Sequence, residues 1–253
     1  MVHFVGAGPV ATDVITVRGQ RLIGEADLMI YAGSLVNPEL LKMAKEGCIC
    51  MDSARMTLEE VIEAIRQAEE QGKTTVRLHT GDPSIYGAIR EQMDRLDEMH
   101  VAYDVTPGVS SFCASAAAIP AEFTLPGQSQ TVIITRMAGR TPVPEKERMA
   151  ALAAHRASMA IFLSTGLLEE LSGELIEGGY RPEDPAAIVY KASWPDQKVM
   201  RCTVGTLAET AEREHVTKTA MILVGSFLGS EYDRSLLYHP GFTHMFRKGT
   251  DER

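Results

Sequence analysis

Met1-Val2-His3-Phe4-Val5-Gly6-Ala7-Gly8-Pro9 is an apolar run that stops on a glycine-bearing turn, and the pattern recurs twice in the first half of the chain. Thr75–Thr80 runs into Gly81-Asp82-Pro83, and Val101–Thr106 runs into Pro107-Gly108-Val109-Ser110-Ser111. Short apolar runs closed by such turns read as strands. In an open α/β sheet the carboxyl ends of the strands line a crevice where ligands bind. Three such turns therefore predict one shared small-molecule site. Glycine lets backbone approach a ligand and adopt positive φ, so main-chain N–H and C=O groups can do the recognition.

Working outward, strand-like and helix-like runs alternate along the whole chain, which predicts an α/β fold. Thr57–Gln71 is the clearest helix: Thr57 and Glu60 form a capping box, Leu58, Val61, Ile62 and Ile65 make one stripe, and Gly72 stops it. Asp82 and Pro83 read as N-cap and first residue of a helix reaching about Met99. Ser110 or Ser111 is placed to cap the small-residue helix that follows. Ile119-Pro120 ends that helix, and Ala121–Gln130 has no period, so two α/β domains are expected, 1–118 and 119–253. The second reads as strand Thr131–Thr135, loop Arg136–Pro144, helix Glu145–Arg156, strand Ser158–Ser164 and helix Leu167–Glu177. Strands Ala186–Ala192 and Val199–Val204, a short helix near Leu207–Glu214 and strand Thr219–Val224 complete it. From Gly229 onward the tail is polar and aromatic without a period.

Composition limits the function classes. Of 253 residues, 45% are apolar and 23% charged, the profile of a soluble globular protein. No apolar run reaches the roughly 18–20 residues that span a bilayer, so no membrane partner is expected. Met1 leads straight into strand-like residues, with no basic segment or cleavage site of a signal peptide. A net charge of -9 argues against a nucleic-acid partner, although local arginines can still receive an anionic substrate. The 4 cysteines are too few for a disulfide scaffold, and a reduced, cytoplasmic setting fits. Cys48 and Cys50 alternate on one strand face and read as thiols rather than a metal pair; no HExxH pattern occurs, and His239 and His244 read as surface residues. No metal site is expected.

Gly6-Ala7-Gly8-Pro9 lacks the third glycine of a dinucleotide fingerprint, and Asp27 precedes its strand rather than following it, so the NAD reading fails. Asp82, Ser110 and Ser111 are each open to two readings, helix cap or ligand contact. Arg136 and Arg140 flank a Gly/Pro loop after a strand end and make a fair carboxylate clamp, because guanidinium binds carboxylate bidentately. Lys191, at another strand end, belongs to the same class. No spacing points to a catalytic triad.

Together the turns resemble the S-adenosylmethionine-dependent tetrapyrrole methyltransferase family over nearly the entire chain. The resemblance is carried by Val5-Gly-Ala-Gly-Pro9, Asp13-Val-Ile-Thr-Val-Arg-Gly19, Thr80-Gly-Asp-Pro-Ser-Ile-Tyr-Gly87 and Thr106-Pro-Gly-Val-Ser-Ser111, with Val10-Ala11 departing from the commoner first loop. Tyr31-Ala-Gly-Ser-Leu-Val36, Gln130–Arg136, Gly139–Glu145 and Tyr190–Asp196 are similar to the precorrin-4 C-11 methyltransferase branch. Leu237-Tyr-His-Pro is similar to the version in the oxygen-dependent cobalamin pathway. The resemblance implies a homodimer of two-domain α/β chains with the cofactor in an interdomain cleft. It assigns S-adenosylmethionine to Pro9, Thr80, Gly81, Asp82, Ile85, Ser110, Ser111, Leu163, Ala192, Thr219, Ala220 and Met221. The sulfonium methyl is already activated, so the mechanism needs positioning and no catalytic side chain. A tetrapyrrole with several carboxylate arms needs cations, and Arg136 and Arg140, then Arg55 and Lys191, are the candidates. Other readings remain: uroporphyrinogen or another precorrin, a modified protein histidine, a ribosomal RNA ribose, or a non-catalytic tetrapyrrole or nucleotide carrier.

Overall fold

Alternating apolar runs and capped amphipathic segments build two α/β units. The computed structural model describes residues 1–250. Met1–Ser115 with Ala192–Asp196 makes one compact unit, and Ala116–Lys191 with the segment from Gln197 makes the other. Residues 251–253 of the expected second domain lie outside the described residues.

The first unit runs β1 (Val2–Gly6), α1 (Val17–Glu25), β2 (Leu28–Tyr31), α2 (Pro38–Leu41), β3 (Ile49–Asp52), α3 (Leu58–Glu70), β4 (Thr75–His79), α4 (Arg90–Glu98), β5 (Tyr103–Thr106) and α5 (Ser111–Ala118). Its sheet has the order β3-β2-β4-β1-β5, all parallel, with Gly6 opposite His79 and Val5 opposite Thr106. Parallel strands are buried on both faces. One face carries Phe4 and Ile30 against Ile62 and Ile65 of α3 and Leu96 of α4, and the other carries Val5, Met29 and Leu78 against Leu22 and Ile23 of α1. The capping box at the start of α3 is formed: Glu60 N–H donates to Thr57 Oγ1 at 3.2 Å, and Thr57 N–H to Glu60 Oε2 at 2.7 Å.

One expected helix is corrected here. Asp82-Pro83 does not open a helix reaching Met99; residues 82–89 form turns, and α4 begins only at Arg90. Tyr86 and Ala88 are left-handed, at φ 56 and 49, which no continuous right-handed helix accepts.

The second unit runs β6 (Val132–Arg136), α6 (Met149–Ala153), β7 (Ser158–Phe162), α7 (Leu168–Glu177), β8 (Pro185–Tyr190), β9 (Lys198–Thr203), α8 (Leu207–Arg213) and β10 (Ala220–Val224). Its sheet is mixed, ordered β6-β7-β10-β8-β9, with β6 parallel to β7 and β10 antiparallel to both of its neighbours. Met159, Ile161, Leu171, Leu175, Ile188 and Ile222 form its core. The helix expected over Glu145–Arg156 is broken: Arg148 is extended at ψ 144, so a single turn over Glu145–Glu147 precedes the short α6. The tail carries a short 3-10 turn at Leu236–Tyr238 and a β-bridge between His244 and Arg247, and leaves Leu236, Tyr238, Met245 and Phe246 exposed. Among the described residues no helix is long and apolar enough to cross a membrane.

Candidate functional site

The turns after β1, β4 and β5 meet at the carboxyl end of the first sheet, where adjacent strands exit side by side. Gly81 N–H donates to Gly8 O at 2.9 Å, Gly8 N–H returns to Gly81 O at 3.2 Å, and Ala7 N–H donates to His79 O at 2.7 Å. A Cβ on Gly6 would lie 2.5 Å from Gly108 Cα, and one on Gly108 only 2.1 Å from Gly81 O. The three turns touch through bare backbone, which leaves no room for a side chain at Gly6 or Gly108, while Gly81 sits at φ 63, a left-handed conformation that favours glycine.

Asp82 locks this contact. Its Oδ2 accepts Gly108 N–H at 2.9 Å, and its Oδ1 accepts Ser84 N–H at 2.8 Å and the Ser84 hydroxyl. Burial alone pushes this carboxyl up. The bonds from the Ser84 hydroxyl and the Gly108 and Ser84 amides outweigh that and hold it below the usual carboxylate value. Thr80 and Thr106 each carry a buried hydroxyl without a hydrogen-bond partner, and His79 Nε2 is likewise unpartnered. Buried polar atoms are normally satisfied, so the unpaired Thr80 hydroxyl beside the glycine contact is suited to a ligand. Pro9 and Gly81 are buried at the same edge, Ile85 N–H donates to Asp82 O at 3.2 Å, and Ser110 and Ser111 open α5. Pro9, Thr80, Gly81, Asp82, Ile85, Ser110 and Ser111 thus share one rim.

Two supports of this rim escaped the sequence reading. Val10 sits at φ 139, and Asn37 Nδ2 donates to its carbonyl at 2.9 Å. Ala11 N–H donates to Ser193 Oγ at 3.1 Å. Neither pairing leaves a local signal, because the partners are remote in the chain.

In the second unit the exits of β6, β7 and β8 and the entry of β10 share one end of the sheet. Leu163, Lys191 and Thr219 are left-handed there, at φ 53, 47 and 57. Lys191 N–H donates to Thr219 O at 2.9 Å, and the Thr165 hydroxyl donates to Ala220 O. Met221 is buried, while Leu163 is 72% exposed. Ala192, buried, follows Lys191 directly and is counted with the first unit.

The four candidate cations fare differently. Arg136 is occupied by its own loop: Nη1 donates to Met137 O at 3.0 Å and Thr141 O at 3.1 Å, and Nη2 to Pro142 O at 2.9 Å. Arg140 is exposed on the loop so folded. The Lys191 ammonium lies 5.1 Å from the centre of the Tyr190 ring, a cation–π contact. Arg55 lines an open groove along α3 with Met51, Glu59, Glu60 and Glu63, an acidic setting for an anion-binding residue. Among the described residues no cluster of three or more His, Cys, Asp or Glu is placed to hold a metal.

Known proteins bear on this geometry. A family model described as tetrapyrrole (corrin/porphyrin) methylases matches residues 1–208. The cobalt-precorrin-4 C(11)-methyltransferase of Methanocaldococcus jannaschii is 51% identical over 248 residues, covering 98% of this chain and 96% of its own. The precorrin-4 C(11)-methyltransferase of Mycobacterium tuberculosis is 44% identical over 242 residues, 94% of this chain and 95% of that one. Among solved structures, the X-ray structure of a cobalt precorrin-4 methyltransferase, a cobalamin biosynthetic enzyme, matches with a TM-score of 0.89 at 44% identity. That match covers 90% of this chain and 96% of the other. On a family match covering most of the sequence, with the glycine interlock where the motifs fall, the chain belongs to the tetrapyrrole (corrin/porphyrin) methylases.

Proposed function

We propose that this protein transfers a methyl group from S-adenosylmethionine to C-11 of precorrin-4, giving precorrin-5, in cobalamin biosynthesis. The observation that carries the reading is the backbone interlock of Gly6, Gly81 and Gly108 around Asp82, in a chain of the methylase family. The donor supplies a methyl group on sulfonium, electrophilic enough to be displaced in line by an electron-rich ring carbon. The protein's task is then to bind and aim. Holding two reactants in line contributes about 7–11 kcal/mol, so no side chain has to become a nucleophile.

Each rim has a part in this scheme. On the first, the Thr80 hydroxyl, the strand-end amides and carbonyls around Gly81 and the loop through Ile85 meet the donor, with Pro9, Ser110 and Ser111 beside them. On the second, Leu163, Ala192, Thr219, Ala220 and Met221 are assigned to the same donor. The left-handed exits at Leu163 and Thr219 favour contact through main chain rather than side chain. Arg140 and Lys191 are placed for the carboxylate arms. Arg136 serves by shaping the loop that carries Arg140, and Arg55 is the weakest of the four because glutamates share its groove.

A second reading differs only in the acceptor. The 51%-identical relative is named for the cobalt form, so cobalt-precorrin-4 competes with the metal-free ring. Incubation with methyl-labelled S-adenosylmethionine and each ring separately decides between them, with NMR of the product locating the label. Label at C-11 of either ring is the expected result, and the preferred ring names the substrate. Label elsewhere, or on neither ring, overturns the proposal. The free cysteines Cys48, Cys50, Cys113 and Cys202 agree with a reducing cytoplasm. The exposed apolar tail supports a homodimer, which light scattering tests: a strictly monomeric mass removes that assignment.

A further inference from the structure

Arg77 is a buried charge that the proposed chemistry leaves without a task. It sits in β4, 6% exposed, with Nε donating to Gln92 Oε1 at 3.0 Å and Nη1 to Ile30 O at 3.0 Å. Both acceptors are neutral. Burial lowers its pKa to about 10, so it is still a cation at neutral pH. A buried cation held by neutral groups is costly compared with an apolar side chain of similar volume.

What the guanidinium holds accounts for its presence. Gln92, also buried, passes the connection on, donating Nε2 to Ala88 O at 3.0 Å. Ala88 closes the loop that Asp82 opens. Between them Tyr86 and Ala88 are left-handed, and a Cβ on Gly87 would lie 2.1 Å from Pro83 O. A loop in sparsely populated backbone conformations persists only where its surroundings fix it. Its near end is fixed by Asp82 on Gly108 N–H, and its far end by the chain Ile30–Arg77–Gln92–Ala88.

We infer that Arg77 and Gln92 are positioning residues for donor binding: together they form an internal strut, rooted in the sheet, that holds residues 82–89 in the conformation the donor requires. This rests on the assignment of Thr80, Gly81, Asp82 and Ile85 to S-adenosylmethionine.

Gln92→Glu isolates the last link. It keeps an oxygen for Arg77, now charged, and replaces the donor to Ala88 O with an acceptor that repels it. Arg77→Met removes the whole strut while keeping volume and apolar packing. Wild type and both variants are compared by calorimetric binding of S-adenosylhomocysteine, by thermal unfolding, and by hydrogen exchange of the amides in 82–89. Gln92→Glu is expected to match or exceed the wild-type Tm, exchange faster in that loop, and bind about tenfold more weakly. That is the effect of a loop competent about one time in ten. Saturating donor is expected to restore kcat. Arg77→Met is expected to weaken binding at least as much; should it not fold, Gln92→Glu decides alone. Wild-type affinity in Gln92→Glu overturns the inference, whether or not loop exchange rises. So does an affinity loss that only follows a fall in Tm. Wild-type protein that fails to bind S-adenosylhomocysteine overturns instead the assignment of the loop to the donor, and the exchange data then report on the strut separately.

Discussion

The strand-end contact of the first rim and the strand exits of the second are finished by different means. Around Gly6, Gly81 and Gly108 the strand ends close on one another because side chains are missing. At Leu163, Lys191 and Thr219 the backbone turns left-handed although side chains are present. An L-residue in that conformation costs roughly 1–2 kcal/mol, which glycine escapes. Gly6 and Gly108 therefore tolerate no side chain, whereas at Gly81 the obstacle is its left-handed φ of 63. The second rim carries its strain on residues with side chains, of which Leu163 is exposed.

The largest expected effect breaks the first half of this comparison. Gly108→Ala places a methyl group 2.1 Å from Gly81 O and 2.7 Å from Gly6 Cα, both backbone, so two strand ends must move apart. We expect a loss of ~5 kcal/mol in denaturant unfolding, at the exceptional end for one substitution. Calorimetry should then find no S-adenosylhomocysteine binding in whatever protein still folds. A variant of wild-type stability means the three turns are not in contact.

The same contrast explains what the sequence could reveal. Glycines after apolar runs are visible as residues, so β1, β4 and β5 and the turns after them are legible, as is the Thr57–Glu60 capping box. Left-handed leucine, lysine and threonine leave no mark in composition. Only resemblance to a family pointed to Leu163 and Thr219. Asp82-Pro83 misleads because Asp before Pro is good N-cap chemistry, and Asp82 Oδ1 does accept Ser84 N–H; but Oδ2 is taken by Gly108 from a distant turn, and the chain turns left-handed at Tyr86 and Ala88. Arg136 looked like an exposed clamp because nothing local announces that its donors belong to the Met137, Thr141 and Pro142 carbonyls. Arg77 was hidden inside a run read as apolar; its partners Gln92 and Ile30 are identifiable only once helix and sheet pack.

A second test sharpens the contrast through pH. Beneath the first rim lies His79, 4% exposed, its pKa lowered to about 3 by burial and by the Arg77 charge. The unfolded chain binds that proton near pH 6.5, the folded chain only near pH 3. The stability that His79 confers is therefore complete above about 6.5 and disappears as pH falls toward 3. For a group this buried the loss is on the order of 4 kcal/mol. The second unit contains no buried histidine among the described residues. Its buried Asp184 is pushed up by burial but held below the usual value of 3.8 by bonds from Arg181 and by the Arg156 charge, so its contribution is lost only at lower pH. His79→Phe is expected to flatten the stability profile between pH 6.5 and 3, read by urea unfolding across pH. An unchanged slope assigns the acid sensitivity to other groups.

The smallest effect tests the other rim and has the opposite sign. Leu163 is 72% exposed at φ 53, so its side chain gains little from burial while its backbone bears the left-handed strain. Leu163→Gly removes that strain at the cost of greater freedom in the unfolded chain, and the balance favours the variant by ~0.5–1 kcal/mol. With the donor contact at this position proposed to run through main chain, S-adenosylhomocysteine affinity is expected to stay within about twofold of wild type. Unfolding that shows the predicted gain with unchanged binding would establish that the donor contact proposed at Leu163 is made by backbone, in a geometry reached through strain instead of through glycine. A clear loss of affinity would mean that the leucine side chain itself covers the donor. The contrast between the rims would then lie in what touches the ligand as well as in how each turn is made.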